Sequence, residues 1–402
     1  MAHRPGTPRL LRQINDRAAL DLLLRGGPMT RLQLVAATGL SKPTASQLLG
    51  RLEDAGLVTV TGTSAGVRGP SAQVYSIRPE AGYTVGVDVT PGVTRAGVAD
   101  LTGRIVGRDE VAIDMRRSPD PAADVAAAVK RAVRAARLPL RAVGQLVVAS
   151  PGVHDDVRDV IRHAEHMPAW ARPGLHAALS AELRVSITIE NDVNAVAVAE
   201  RARGAATDAE SFALLWVSNG LGLAIDLGGR VHRGATGGAG EVGYMPLPGF
   251  AAERRSGRPV NFQSLVAGQA VVALARAHGV RGRTGAAVVG RAVSDHEAGS
   301  GGVAFLNELA DRLATGIAMI VSVLDPELIV LSGDTAESGG EALRSRIEQR
   351  LRRLSPLRPR LALTGVHDDP VLAGALELGL RTVRDQVFTT TSRSGAVAGT
   401  AR

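Results

Sequence analysis

The sequence predicts an N-terminal winged helix-turn-helix, mainly helical, joined to a larger α/β body. Three observations carry that expectation. Positive charge gathers at the start: residues 1–80 hold ten Lys/Arg against five Asp/Glu, a net +5 of the chain's +8. The same residues read as three helices followed by two strands. From about residue 83, short β-branched runs alternate with Ala-rich helical stretches, the pattern of an α/β body. A basic segment on a nearly neutral body points to a nucleic-acid module, although an Arg-rich composition would also place charge there.

The first helix is read from Leu or Ile at 10, 11, 14, 20, 22, 23 and 24, and Gly26-Gly27-Pro28 stops it. Thr30 can cap a second helix, "RLQLVAATG", which ends at Gly39. Ser41 can cap a third, "KPTASQLLGRLEDAGL", whose Pro43 is tolerated in the first turn. The runs "LVTVTG" and "AQVYSI" flank "TSAGVRGP" as the strands and tip of a wing. Leu34, Val35, Leu40, Ala45, Leu48, Leu49 and Leu52 supply a small core. Ser41, Lys42, Thr44, Ser46, Gln47 and Arg51 are left to face outward. Short polar and cationic side chains at the start of a recognition helix reach base edges and phosphates in the major groove. Arg68 and Gly69 fall at the wing tip, where an Arg can enter the negative minor groove. The alternative is a helical docking domain with a solvated polar face.

In the body, "VGVDVTPGVTRAGVADLTGRIV" reads as two strands joined by a tight turn. "VGQLVVASPG" and "VSITIEND" are buried strands ending in polar turns, and "NAVAVAERARG" is a helix. "FALLWVSNGLGLAIDLGG" is strand, turn and strand; the long helix "VAFLNELADRLATGIAMIVSVL" is followed by the strand "ELIVLSG". From Gln386, "QVFTTTSRSGAVAGTAR" has little to bury and is expected to be a disordered tail. The expected domains are therefore 1–80, 81–385 and 386–402. No run of eighteen apolar residues occurs, and Leu313 to Leu324 is too short to span a bilayer. The start, "MAHRPGTPRL", has no apolar signal core, so a cytoplasmic protein without membrane association is expected. The absence of Cys removes disulfides and thiolate metal sites.

The order of "ADLTGRIV", "SPGVHDD", "ENDVNAVAVAE" and "RGATGGAGEVGYMPL" resembles the ROK family, which groups bacterial sugar repressors with sugar kinases. The resemblance covers about residues 10–385. It implies an actin-like, ribonuclease-H-like two-lobed body with a sugar in the cleft. Asp192 matches the position of the kinases' catalytic base, and Asn191 matches a sugar-binding amide. Glu241 matches a sugar-binding Glu, Gln263 falls near a second one, and Tyr244 stands where the family has His. These five are the expected sugar contacts. For Asp192 a plain helix N-cap before "VNAVAVAE" stays open.

The phosphate loops depart from the kinase pattern. The family's Asp-x-Gly-Gly-Thr becomes Asp88-Val89-Thr90-Pro91-Gly92, and proline has no N–H to offer a phosphate oxygen. Its Gly-Thr-Gly-x-Gly-Gly-Gly aligns with Ser218-Asn219-Gly220-Leu221-Gly222-Leu223-Ala224. The expectation is a non-enzyme with no cofactor, in which Asp192 is a vestigial base. No zinc is expected either, because Tyr244 and Asn261 replace a His and a Cys, and His163 and His166 form a lone His-x-x-His without further ligands. The whole reads as a transcriptional regulator, a repressor, that binds an inverted repeat in operator DNA as a homodimer or dimer of dimers. A sugar or sugar derivative is its effector. The rivals are a regulator that keeps sugar kinase activity and a ligand-independent DNA-binding scaffold.

Overall fold

The computed structural model describes residues 8–64, 71–113, 120–163, 167–247, 260–299 and 301–394. The chain divides into two compact units, Met1–Val148 with Gly174–Ile189 and Ala375–Arg402, and Ala149–Pro173 with Glu190–Gly374.

The first unit begins with a winged helix-turn-helix. Helix α1 (Pro8–Gly26) is followed by a two-residue strand β1 (Met29–Thr30), α2 (Arg31–Thr38), α3 (Lys42–Asp54), β2 (Val58–Ser64) and β3 (Ala72–Ile77). Strand β1 pairs with β3 and was not legible in the sequence; it completes a three-stranded sheet in the order β1-β3-β2. Leu20, Leu34, Leu48, Leu49 and Leu52 form the core, while Val35 and Leu40 are only partly buried. Arg68 and Gly69 lie outside the described residues.

The two larger sheets share one strand order. In the first, Ile105–Ala112, Val93–Asp100 and Tyr83–Val89 form a meander, and Val143–Ser150 and Ile187–Asn191 extend it beyond Tyr83–Val89. In the second, Arg230–Val231, Leu221–Leu227 and Ser211–Val217 form the meander, and Leu328–Ser332 and Arg360–Leu363 extend it in parallel. This third-second-first-fourth-fifth order in both sheets is the expected ribonuclease-H-like, actin-like architecture. The second unit's core packs Phe262, Phe305, Leu313 and Ile317 beneath its sheet, with helix Val303–Leu324 fully integrated. Among the described residues, no helix is long and apolar enough to cross a membrane.

One boundary is corrected. The tail expected from residue 386 is helical as far as it is described: the last helix runs Pro370–Ser394. Phe388 is 6% exposed and joins the winged-helix core with Leu101 and Val383. Arg17 of α1 fixes it there, pairing with Asp385 at 2.5 Å and lying 5.3 Å over the Phe388 ring. A long-range partner in α1 thus orders a segment whose own composition offered little to bury. Residues 395–402 lie outside the described residues.

Candidate functional site

The helix-turn-helix is fixed by its caps. Thr30 accepts from the backbone N–H of Gln33 at 3.3 Å, and the Gln33 side chain accepts from the Thr30 N–H at 2.8 Å, a reciprocal capping box. Gly39 ends α2 in the left-handed region at φ 69°, which sets the turn. Ser41 caps α3 by accepting from the Thr44 N–H at 3.3 Å, and its hydroxyl lies 2.8 Å from that of Thr44. Lys42, Thr44 and Gln47 are exposed on the outward face, with Ser46 half-buried beside them. Arg31, which sequence reasoning passed over, donates to the Ser46 hydroxyl at 2.6 Å and brings a guanidinium to the same face. Arg51 differs from expectation. It pairs with Asp16 of α1 at 2.6 Å, so its guanidinium braces the helix packing within the domain.

The expected sugar contacts lie in the second unit. Asn191, not Asp192, caps helix Asp192–Arg203: its Oδ1 accepts from the Asn194 N–H at 3.1 Å, and its Nδ2 donates to the Gly152 carbonyl at 3.0 Å. Asp192 occupies the first helical position, where its carboxylate accepts from the Val193 N–H at 2.8 Å. Glu190 was missed. It is 5% exposed, accepts from the Asn191 N–H at 2.9 Å and from the Asn194 side chain at 3.0 Å, and pairs with Arg233. A carboxylate in a β-branched strand, just before Asn-Asp, was the available signal.

Glu241 reaches the cluster because its segment crosses the sheet closely. Gly240, at φ 93°, would place a Cβ only 1.9 Å from the Leu223 carbonyl oxygen, so glycine alone fits. Three residues on from Gly240, Gly243 leaves room for Gln263, whose Oε1 lies 3.0 Å from where a Cβ would stand. Tyr244 follows on the surface, 53% exposed. Asp192 retains some solvent access, yet the surrounding protein desolvates its carboxyl and raises its pKa to about 6. The Glu241 charge adds to that rise, while the Val193 and Asp192 N–H groups and the Asn191 side chain oppose it. Desolvation likewise raises Glu241, against the pull of nearby His163. The arrangement sets two desolvated carboxylates near each other with an amide and a phenol at the rim, a donor and acceptor set suited to vicinal hydroxyls.

In the turn after strand Tyr83–Val89, expected to stand where kinases bind phosphate, polar groups pair locally. Both the N–H and the hydroxyl of Thr90 donate to the Val93 carbonyl, at 3.0 and 2.9 Å. Asp88 is 5% exposed and lies 3.5 Å from Arg95. In the second loop Leu221 and Leu223 are buried in the core of strand Leu221–Leu227. No group of three or more potential metal-binding side chains occurs among the described residues. His166 lies outside them, and His163 sits against Tyr244.

Comparison with known proteins is consistent with these features. The ROK family model matches residues 84–381, and a MarR family model matches residues 13–68. The xylose repressor of Bacillus subtilis (strain 168) is 27% identical over 241 residues, 59% of this chain and 61% of the repressor. The chain thus spans about three fifths of that relative's length. A ROK hexokinase from Thermus thermophilus is 29% identical with a TM-score of 0.64, covering 75% of this chain and 99% of the hexokinase. A ROK family transcriptional regulator, described as a homolog of the E. coli MLC protein, is 20% identical with a TM-score of 0.72. It covers 95% of this chain and 99% of its own, so the shared fold extends beyond the portion matched by the hexokinase.

Proposed function

The chain belongs to the ROK family, and on that premise we propose that it is a DNA-binding transcriptional regulator, a repressor, whose body senses a sugar without phosphorylating it. The observation that carries this reading is the winged helix-turn-helix with Lys42, Thr44 and Gln47 exposed on its recognition helix. The naming of a similar protein as a xylose repressor supports it. The effector site of this reading is the Asp192, Glu241, Tyr244 and Gln263 cluster, with Asn191 beneath it as a cap. The ligand acts through its different affinities for DNA-competent and DNA-incompetent states. The regulator acts in the cytoplasm as a homodimer on an inverted repeat, because two-fold symmetry in the protein calls for two-fold symmetry in the site. Thr90, whose donors go to Val93, and Pro91, which has none, support the absence of phosphoryl transfer.

Selection of a duplex from random DNA, followed by affinity measurements across a salt series, tests the DNA side. Lys42→Ala should weaken binding to all sequences and lower the salt slope by about one, as loss of one phosphate contact does. Gln47→Ala should leave the slope alone and relax discrimination at one or two base pairs. Equal wild-type affinity for selected and random duplexes at physiological salt would remove the repressor reading. A second reading, a regulator that still phosphorylates its sugar, is favoured by the retained Asp192 and by the likeness to the hexokinase. It requires sugar phosphate to form from magnesium ATP.

A further inference from the structure

We infer that His163 is a further effector-contact residue, placed to hydrogen-bond a ligand hydroxyl shared with Glu241. The inference rests on the sensor reading of the Asp192 and Glu241 cluster and adds to it a residue outside the matched motifs. Three observations carry it. First, His163 takes a left-handed backbone conformation, φ 63°, immediately after strand Val160–Arg162. A non-glycine residue holds such a conformation only where its surroundings fix it, and positions of that kind gather at ligand sites. Second, the surroundings do fix it. The preceding residue, Arg162, donates to the Thr236 carbonyl at 2.9 Å and lies 3.6 Å from Asp155, tying the Val153–Asp155 and Val160–Arg162 hairpin to the segment that delivers Glu241. Third, the imidazole is aimed. Its Nδ1 lies 3.4 Å from the Tyr244 hydroxyl, and the two rings meet edge-on with centroids 5.6 Å apart. It is also close enough to Glu241 to favour that carboxylate's charged form.

A hydrogen bond between a ring nitrogen and Tyr244 leaves the other nitrogen for a ligand. His163 and Tyr244 are both exposed, so a ligand entering beside Glu241 meets the imidazole without any rearrangement of the core. The ligand class is a polyhydroxylated carbohydrate. One hydroxyl is held by Glu241 as acceptor, and the His163 imidazole donates to that same hydroxyl or to its neighbour. The Tyr244 phenol is then a positioning group for the imidazole as well as part of the rim.

The test uses the full chain and calorimetric titration with D-xylose, D-glucose and N-acetylglucosamine as probes. Two variants separate contact from scaffold. His163→Phe keeps a ring against Tyr244 and removes the hydrogen-bonding nitrogens. His163→Asn gives up the ring but keeps an amide donor on a residue that tolerates left-handed backbone. The expected result is a loss of about tenfold for His163→Phe with the best probe, the scale of one hydrogen bond. His163→Asn should retain affinity within about threefold, since its donor survives. The opposite ranking, Phe tolerated and Asn weakened, would assign the residue to packing and overturn the inference, as would wild-type affinity in both variants. Failure of the wild-type protein to bind any of the three probes would overturn the sensor reading itself, and the inference with it.

Discussion

In the proposed sensor, Asp192 serves two opposed demands. Its carboxylate accepts most strongly from a hydroxyl ligand when charged, yet the fold desolvates it and raises its pKa to about 6. The ordinary unfolded value is about 3.9. The folded protein therefore holds this proton more tightly than the unfolded chain does. Stability falls as pH rises from about 4 through about 6, and the cost is fully present above that window. Asp192→Asn removes the charge while its side-chain oxygen can still accept from Val193. The ligand-free variant should melt several degrees above wild type at pH 8, with the difference gone below about pH 4. The gain is at most about 3 kcal/mol, since one unit corresponds to about 1.4. The same substitution should weaken sugar binding about tenfold or more, because hydrogen bonds to a charged group are worth about 1.5–3 kcal/mol. Thermal melts across pH, paired with a sugar titration, check both halves; a variant less stable than wild type at pH 8 would contradict the first. Asp192 and Glu241 entered as candidates through the family resemblance, on the motifs "ENDVNAVAVAE" and "RGATGGAGEVGYMPL". Asn191's capping role and the Glu190 brace were not legible, because they depend on which side chains turn back onto the helix end.

At the scale of elements, the sequence announced the helix-turn-helix correctly because its punctuation is local: Thr30, Gly39, Ser41 and Pro43 each act within one turn. Pairings between distant elements were hidden. Strand β1 is two residues long and exists through its pairing with β3. The last helix extends past Gln386 because Arg17 and the winged-helix core receive Asp385 and Phe388. Arg51 was expected to face DNA from the polar side of α3, but its partner Asp16, 8% exposed, belongs to α1. Removing the guanidinium strands that buried carboxylate. Arg51→Ala should therefore cost about 1.5–3 kcal/mol of stability, and the double variant Asp16→Ala, Arg51→Ala should recover part of it. Its DNA affinity, measured where the protein remains folded, should keep the wild-type salt slope, unlike that of Lys42→Ala. A slope reduced by about one would return Arg51 to the DNA contacts.

At the scale of the whole molecule, the α/β character of the body was legible from alternating strands and helices. The order of strands within each sheet was not, since a hydrophobic period says which face is buried and nothing about which strand lies beside which. The actin-like, ribonuclease-H-like fold therefore entered only through the resemblance, and the third-second-first-fourth-fifth order of both larger sheets agrees with it. We propose that this duplicated architecture, familiar as a kinase body, serves here as a sensor for a DNA-reading head. The most direct measurement follows the anisotropy of the selected operator duplex while sugar is added to its complex with the full chain, with and without magnesium ATP, and assays the same samples for sugar phosphate. D-xylose or another sugar of the panel should shift operator affinity at least about tenfold, the usual scale of allosteric coupling. ATP should leave the shift unchanged, and no sugar phosphate should form. Operator affinity indifferent to every sugar, or sugar phosphate that disappears in Asp192→Asn, would contradict the proposal.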